Sequence, residues 1–183
     1  MKLKEVITIA LTYLGDEEVA VDSNIVAQPK LATLVRCANI VLKEIASDYL
    51  PLAVNERVEV KDGKISYDSL SHRALEVLSV KNADTDVRSN FRHTPSAIDV
   101  ENCDMKRADV KYYYTPKDVS VEEECPISPL VSAKTVAMGV CSEFSLIEGL
   151  YEQSVVFADR FKEDLRCAVR KKGEIKIKPR RWY

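Results

Sequence analysis

The sequence predicts an α+β fold: an antiparallel helical bundle built from the N- and C-terminal helices, a central antiparallel β-sheet insert and an extended C-terminal arm. Three observations predict it. Apolar residues recur at helical spacing near both ends of the chain. Between them run alternating, β-branched and tyrosine-rich segments punctuated by turn residues. The final stretch, Glu174 to Tyr183, is too short and polar to enter a core. At 183 residues the chain has the length of one domain. The expected organisation is a single domain over 1–173, with helices at about 2–50 and 129–172 and the β insert at about 54–115, followed by a docking tail at 174–183.

The first helix is expected from Leu3 to Leu14, where Leu3, Val6, Ile7, Ala10 and Leu14 share a face and Gly15 supplies a stop. Residues 16–28 read as a loop. Pro29 suits a first helical turn, where a missing N–H costs nothing. Leu31, Leu34, Val35, Ala38, Val41, Leu42, Ile45 and Tyr49 then form one broad stripe, and Pro51 ends it. Val54 to Val60 and Ile65 to Tyr67 flank Asp62-Gly63, a hairpin signal. Leu75 to Lys81 reads as a strand with Leu75 and Val77 facing away from Leu78 and Val80. Val87 to His93 follows a polar loop and ends at Pro95. Ala97 to Glu101 and Asp109 to Tyr114 are expected to pair across Asn102-Cys103-Asp104, giving four to six strands in one sheet. After an acidic linker, Ser128-Pro129 reads as a helix start. Leu130, Ala133, Val136, Ala137, Val140, Cys141 and Phe144 are its expected buried side. A turn near Gly149 leads to a last helix burying Tyr151, Val155, Ala158, Phe161, Leu165 and Ala168 or Val169, with Gly173 as its stop.

Composition excludes several classes. Twelve Gly and Pro residues in all are too few for a low-complexity or disordered chain. No run of about 18 apolar residues is present, so no membrane span is expected. Met1 to Gly15 carries Glu5 and no small-residue cleavage site, so it does not read as a signal peptide. Cys37, Cys103, Cys125, Cys141 and Cys167 are odd in number and lack CxxC spacing, and they read as reduced thiols of a cytosolic chain. Cys37, Cys141 and Cys167 fall on or near apolar faces.

No phosphate-binding, dinucleotide-binding, nucleophile-elbow or zinc-protease motif occurs. His72 and His93 have no partner at ligand spacing, and a metal site from His93 and Cys103 is the weaker reading against two surface or turn histidines. Glu122, Glu123 and Glu124 sit in the linker and read as a solvated loop, because consecutive carboxylates do not converge. Tyr112, Tyr113 and Tyr114 suit either base stacking or sheet packing. Strand alternation sends the middle ring to the opposite face. No catalytic site, metal or cofactor is expected, and the chain does not read as an enzyme.

Charge is divided unevenly. From Arg160 to Tyr183 ten cations face three acids, +7, which leaves −9 for the rest of a chain whose total is −2. An acidic body with a basic end points to electrostatic contact with an acidic macromolecule or a second copy. The end itself, Lys176-Ile177-Lys178-Pro179-Arg180-Arg181-Trp182-Tyr183, holds the chain's one Trp. Arg, Trp and Tyr often anchor interfaces, and alternating Lys and Ile suit an added strand. Ile175, Ile177, Arg180, Arg181, Trp182 and Tyr183 are therefore the expected docking residues. Arg170, Lys171, Lys172, Lys176 and Lys178 are candidate contacts to nucleic acid or a partner.

The LTYLG helix end, Leu34-Val35-Arg36-Cys37-Ala38-Asn39, Tyr112-Tyr113-Tyr114-Thr115-Pro116 and the closing Pro179-Arg180-Arg181-Trp182-Tyr183, set in this layout, resemble the head-to-tail connector (portal adaptor) proteins of tailed bacteriophages. The resemblance implies a non-enzymatic virion protein, made in the host cytoplasm, whose copies form a ring, commonly of twelve, beneath the portal protein. The ring surrounds the double-stranded DNA channel without reading sequence, contacts tail or nozzle proteins, and reaches the portal through the C-terminal arm. A small nucleic-acid-binding module using the basic end is the alternative.

Overall fold

The computed structural model of the protein describes residues 1–16, 29–101 and 105–169. Four helices and seven strands occur among them, the strands in two antiparallel sheets, in keeping with the α+β class. The first helix, α1, spans Leu3–Leu14 and ends at Gly15, whose φ of 77° is open to glycine without strain. Leu3, Val6, Ile7, Ala10 and Leu11 are buried, while Leu14 is only half-buried. Helix α2 (Pro29–Glu44) buries Leu31, Leu34, Cys37, Ala38, Val41 and Leu42. It then loosens into a π-helical turn, Ile45–Tyr49, that buries Ile45 and Ala46 before Pro51.

Helix α3 (Ala133–Ile147) begins later than expected. Ser128 and Pro129 make a separate turn, and Ser132 is the cap, its Oγ accepting from the Thr135 N–H at 3.1 Å. Ser128 Oγ reaches only the Leu130 N–H, at 3.4 Å, and Leu130 is exposed rather than buried. α3 is enclosed on most of its circumference because α1, α2 and α4 (Tyr151–Val169) all pack against it. Small residues allow the close approach. A Cβ on Gly139 would stand 2.8 Å from Val41 Cγ1 and 3.0 Å from Phe161 Cε2. One turn on, Ser142 and Ser154 each donate a hydroxyl to the other's carbonyl oxygen at 3.0 Å, so both buried hydroxyls are satisfied. α4 meets α3 along Ser154, Phe161 and Leu165, with Ala158 half-buried. Tyr151 and Val155, expected on this stripe, lie to one side of it and are exposed.

The strands are β1 (Leu52–Glu59), β2 (Lys64–Ser66), β3 (Ala74–Asn82), β4 (Arg88–Ser89), β5 (Phe91–His93), β6 (Ala97–Val100) and β7 (Arg107–Tyr114). They form one sheet of order β1-β7-β3-β4 and a second of order β2-β6-β5, not a single sheet. The Asp62-Gly63 turn exists, with φ of 52° and 70°. However, only Lys61 and Lys64 bridge across it, and the strands it joins enter different sheets. The turn is a local signal, whereas β1 finds in β7 a partner for all eight of its residues. β6 and β7 do not pair with each other either: β6 lies between β2 and β5, and β7 between β1 and β3. In β3, bulges between Ala74 and Glu76 and between Val77 and Ser79 break the alternation. They bring Val77 and Val80 into the core and leave Leu75 exposed. Tyr112 is fully buried, so it is a packing residue.

The helices and the strands have separate apolar clusters with no residue in common. The segment after β7 ties them together. Val119 and Val121 pack on the helical cluster, and the Asn39 side chain pairs with the Val119 backbone through both its Nδ2 and its Oδ1. The acidic run then lies against the start of α1. Leu3 and Lys4 donate their N–H groups to the Glu123 and Val121 carbonyls, satisfying donors that a helix start leaves free. Glu122 faces Lys4 at 3.6 Å.

Two tests follow from this packing. Gly139→Ala gains about 1 kcal/mol of helix propensity, but overpacking costs about 1–3 kcal/mol. Net destabilisation is expected in urea unfolding, and less of it in a Val41→Ala background. Burial pushes the Cys141 thiol up to about 12 and, with the nearby Glu143 charge, the Cys37 thiol up to about 11. Cys167 is exposed, contrary to its expected place near an apolar face. Iodoacetamide at pH 8 is expected to alkylate Cys167 in the folded chain and to spare Cys37 and Cys141 until unfolding, as read by mass spectrometry.

Candidate functional site

The residues singled out in the sequence for docking, Ile175, Ile177, Arg180, Arg181, Trp182 and Tyr183, lie outside the described residues. So do Arg170, Lys171, Lys172, Lys176 and Lys178. What is described is their root: α4 runs to Val169 with Arg160, Lys162 and Arg166 exposed along its second half.

The opposite end of α4 has a different character. α3 ends at Ile147, Gly149 turns the chain at φ 76°, and α4 begins at Tyr151. Leu146, Ile147, Leu150, Tyr151, Val155 and Val156 are between 46% and 67% exposed around this elbow. Scattered apolar exposure is ordinary, but six large apolar residues exposed within the eleven positions 146–156 are a concentration of the kind that marks a partner surface. Its placement follows from the core. The line of α4 that meets α3 begins at Ser154, so flanking apolar residues point elsewhere. The sequence holds a signal for this in its neighbouring pairs Leu146-Ile147, Leu150-Tyr151 and Val155-Val156. Adjacent residues on a helix diverge by about 100°, so both members of a pair cannot meet one narrow core face. Beside the elbow, Lys30 stands over the Phe144 ring, 5.2 Å from its centroid, and pairs with Asp16.

A second feature lies on the β unit. His72 and His93 both line a cleft of about 540 Å³ with Tyr67, Arg73 and Glu76. The Tyr67 hydroxyl and His93 Nδ1 are 2.8 Å apart, and His72 stacks on Tyr114 with ring centroids 4.3 Å apart. The Ser71 hydroxyl donates to Glu56 rather than to an imidazole. Glu56 also accepts from the Ser71 N–H at 3.0 Å. Burial pushes its carboxyl up, but the side-chain and backbone bonds from Ser71, together with the nearby Tyr112 hydroxyl and His72, hold Glu56 below the usual carboxylate value. Burial likewise pushes the Tyr112 phenol up to about 12. Across the β1–β7 pair, Arg57 grips Asp109 through two bonds of 2.8 and 3.0 Å and keeps that carboxylate below its usual range.

Among the described residues, no group of three His, Cys, Asp or Glu is placed to hold a metal ion. No described helix is long and apolar enough to cross a membrane. No protein-family model matches the chain, and no curated protein does.

Because the folded value of Glu56 is depressed, its stabilising contribution is present above about pH 4.5 and is lost as pH falls through the lower folded value. The stability advantage of the native chain over Glu56→Gln in urea unfolding is expected to shrink between pH 6 and pH 3.

Proposed function

We propose that the protein is a structural component of a tailed-bacteriophage particle, a head-to-tail adaptor whose copies form a ring beneath the portal around the DNA channel. In this reading the four helices form an antiparallel bundle that makes the ring wall. The β insert faces neighbouring copies and tail or nozzle proteins. Residues 174–183 extend as an arm, and Ile175, Ile177, Arg180, Arg181, Trp182 and Tyr183 grip the portal. The ring is assembled by side-to-side contacts that close by rotation, with twelve copies as in the family it resembles. It catalyses nothing and needs no cofactor. The acidic body lets DNA pass without sticking, since like charges repel.

The observation that carries this reading is the two-ended character of α4. Its 19 residues span about 28 Å at 1.5 Å per residue. One end opens onto an apolar elbow and the other leads to the basic, aromatic end of the chain. A body with interaction chemistry at both extremities suits a link between two larger assemblies.

Electron microscopy of the chain mixed with the portal protein encoded near it tests the proposal. A ring added to one end of the portal is expected, and it is expected to be lost when residues 174–183 are deleted. A truncated chain that joins the portal as the full chain does contradicts the arm. Salt-sensitive binding to DNA with no portal complex favours the nucleic-acid module, with Arg170, Lys171, Lys172, Lys176 and Lys178 as its contacts.

A further inference from the structure

The elbow's own charges restrict what can cover it. From Thr135 to Asp159 the chain carries Glu143, Glu148, Glu152 and Asp159 and no Lys, Arg or His. Glu148, Glu152 and Asp159 are exposed beside the apolar group, whereas the cations at its edges are Lys30, already paired with Asp16, and Arg160. An occupant must therefore bring apolar side chains interleaved with positive charge. A second elbow fails, because it sets carboxylates against carboxylates. Residues 17–28 fail on the same ground, with Glu17, Glu18 and Asp22 and no cation. Residues 170–183 are the complement: seven cations and one acid, interleaved with Ile175, Ile177, Trp182 and Tyr183.

We propose that the α3–α4 elbow of one copy is the seat for the chain end of a second copy, Ile175 and Ile177 covering its apolar residues and Lys176 and Lys178 facing Glu148 and Glu152. A second copy is favoured over the same chain. The elbow lies the full length of α4, about 28 Å, from Val169, whereas Ile175 is six residues beyond Val169 and reaches at most about 22 Å. A contact between opposite ends of neighbouring copies is head-to-tail, the kind that closes into a ring by rotation. For that ring geometry the inference rests on the adaptor reading. It moves Ile175 and Ile177 from the portal to the neighbouring copy and leaves Arg180 to Tyr183 for the portal.

The test is a fluorescence-anisotropy titration of a labelled peptide of residues 170–183 into the full chain. Saturable binding is expected, weakened about tenfold or more by Glu148→Lys with Glu152→Lys, a loss of the order seen when close charge pairs are reversed. A peptide carrying Lys176→Glu and Lys178→Glu is expected to recover affinity for that variant and to lose it for the native chain. All the changed side chains on the body are exposed, and circular dichroism checks that the variant remains folded. Absence of saturable binding, or binding indifferent to the elbow charges, overturns the inference. Failure here with a portal ring still formed removes the elbow contact alone. Peptide binding without a portal complex removes the adaptor reading alone.

Discussion

The helical layer depends on one helix having almost no side chain where two others cross it. At Gly139 the space a Cβ needs is already held by Val41 of α2 and Phe161 of α4. One turn later the Ser142–Ser154 exchange brings α3 and α4 together through buried hydroxyls that each find an acceptor. α3 is consequently covered by three helices, and Ala137, Gly139, Cys141, Ser142 and Ser145 are all buried along it. This contact also fixes which line of α4 turns inward. Ser154, Phe161 and Leu165 take that line, and the apolar residues flanking the Gly149 turn are left facing out. The elbow is thus a consequence of the core.

The β unit is built on a different constraint. β7 serves two partners, with β1 on one edge and β3 on the other, and it carries Tyr112 into the centre of the strand cluster. The chain then crosses to the helices as a strap. Asn39 holds Val119 through a two-point bond, and the acidic run closes over the start of α1. A segment with the composition of a solvated linker is therefore a structural tie, held by its backbone groups and by its carboxylates: Asp118 pairs with Lys43, Glu122 faces Lys4 and Glu123 accepts from the Ser120 N–H.

Much of this architecture is legible in the residues. The bounds of α1 follow from its spacing and Gly15, and the start of α2 from Pro29. The strands at 74–82 and 107–114 stand where β-branched and tyrosine-rich runs predict them. Their pairing is not legible, because a turn signal such as Asp62-Gly63 is local, whereas sheet order is set by contacts far apart in sequence. The bulges in β3 are hidden for the same reason: alternation presumes an unbroken ladder. In α4, periodicity names two adjacent apolar stripes without saying which one meets α3. The buried serines that decide it have no hydrophobic signature. The docking role proposed for residues 174–183 rests on composition and charge alone.

The central claim is a closed ring of copies on a portal, and native mass spectrometry of the chain mixed with that portal measures it most directly. The account requires a single complex with one fixed number of copies per portal ring. A portal carrying one copy, a variable number of copies, or none contradicts it.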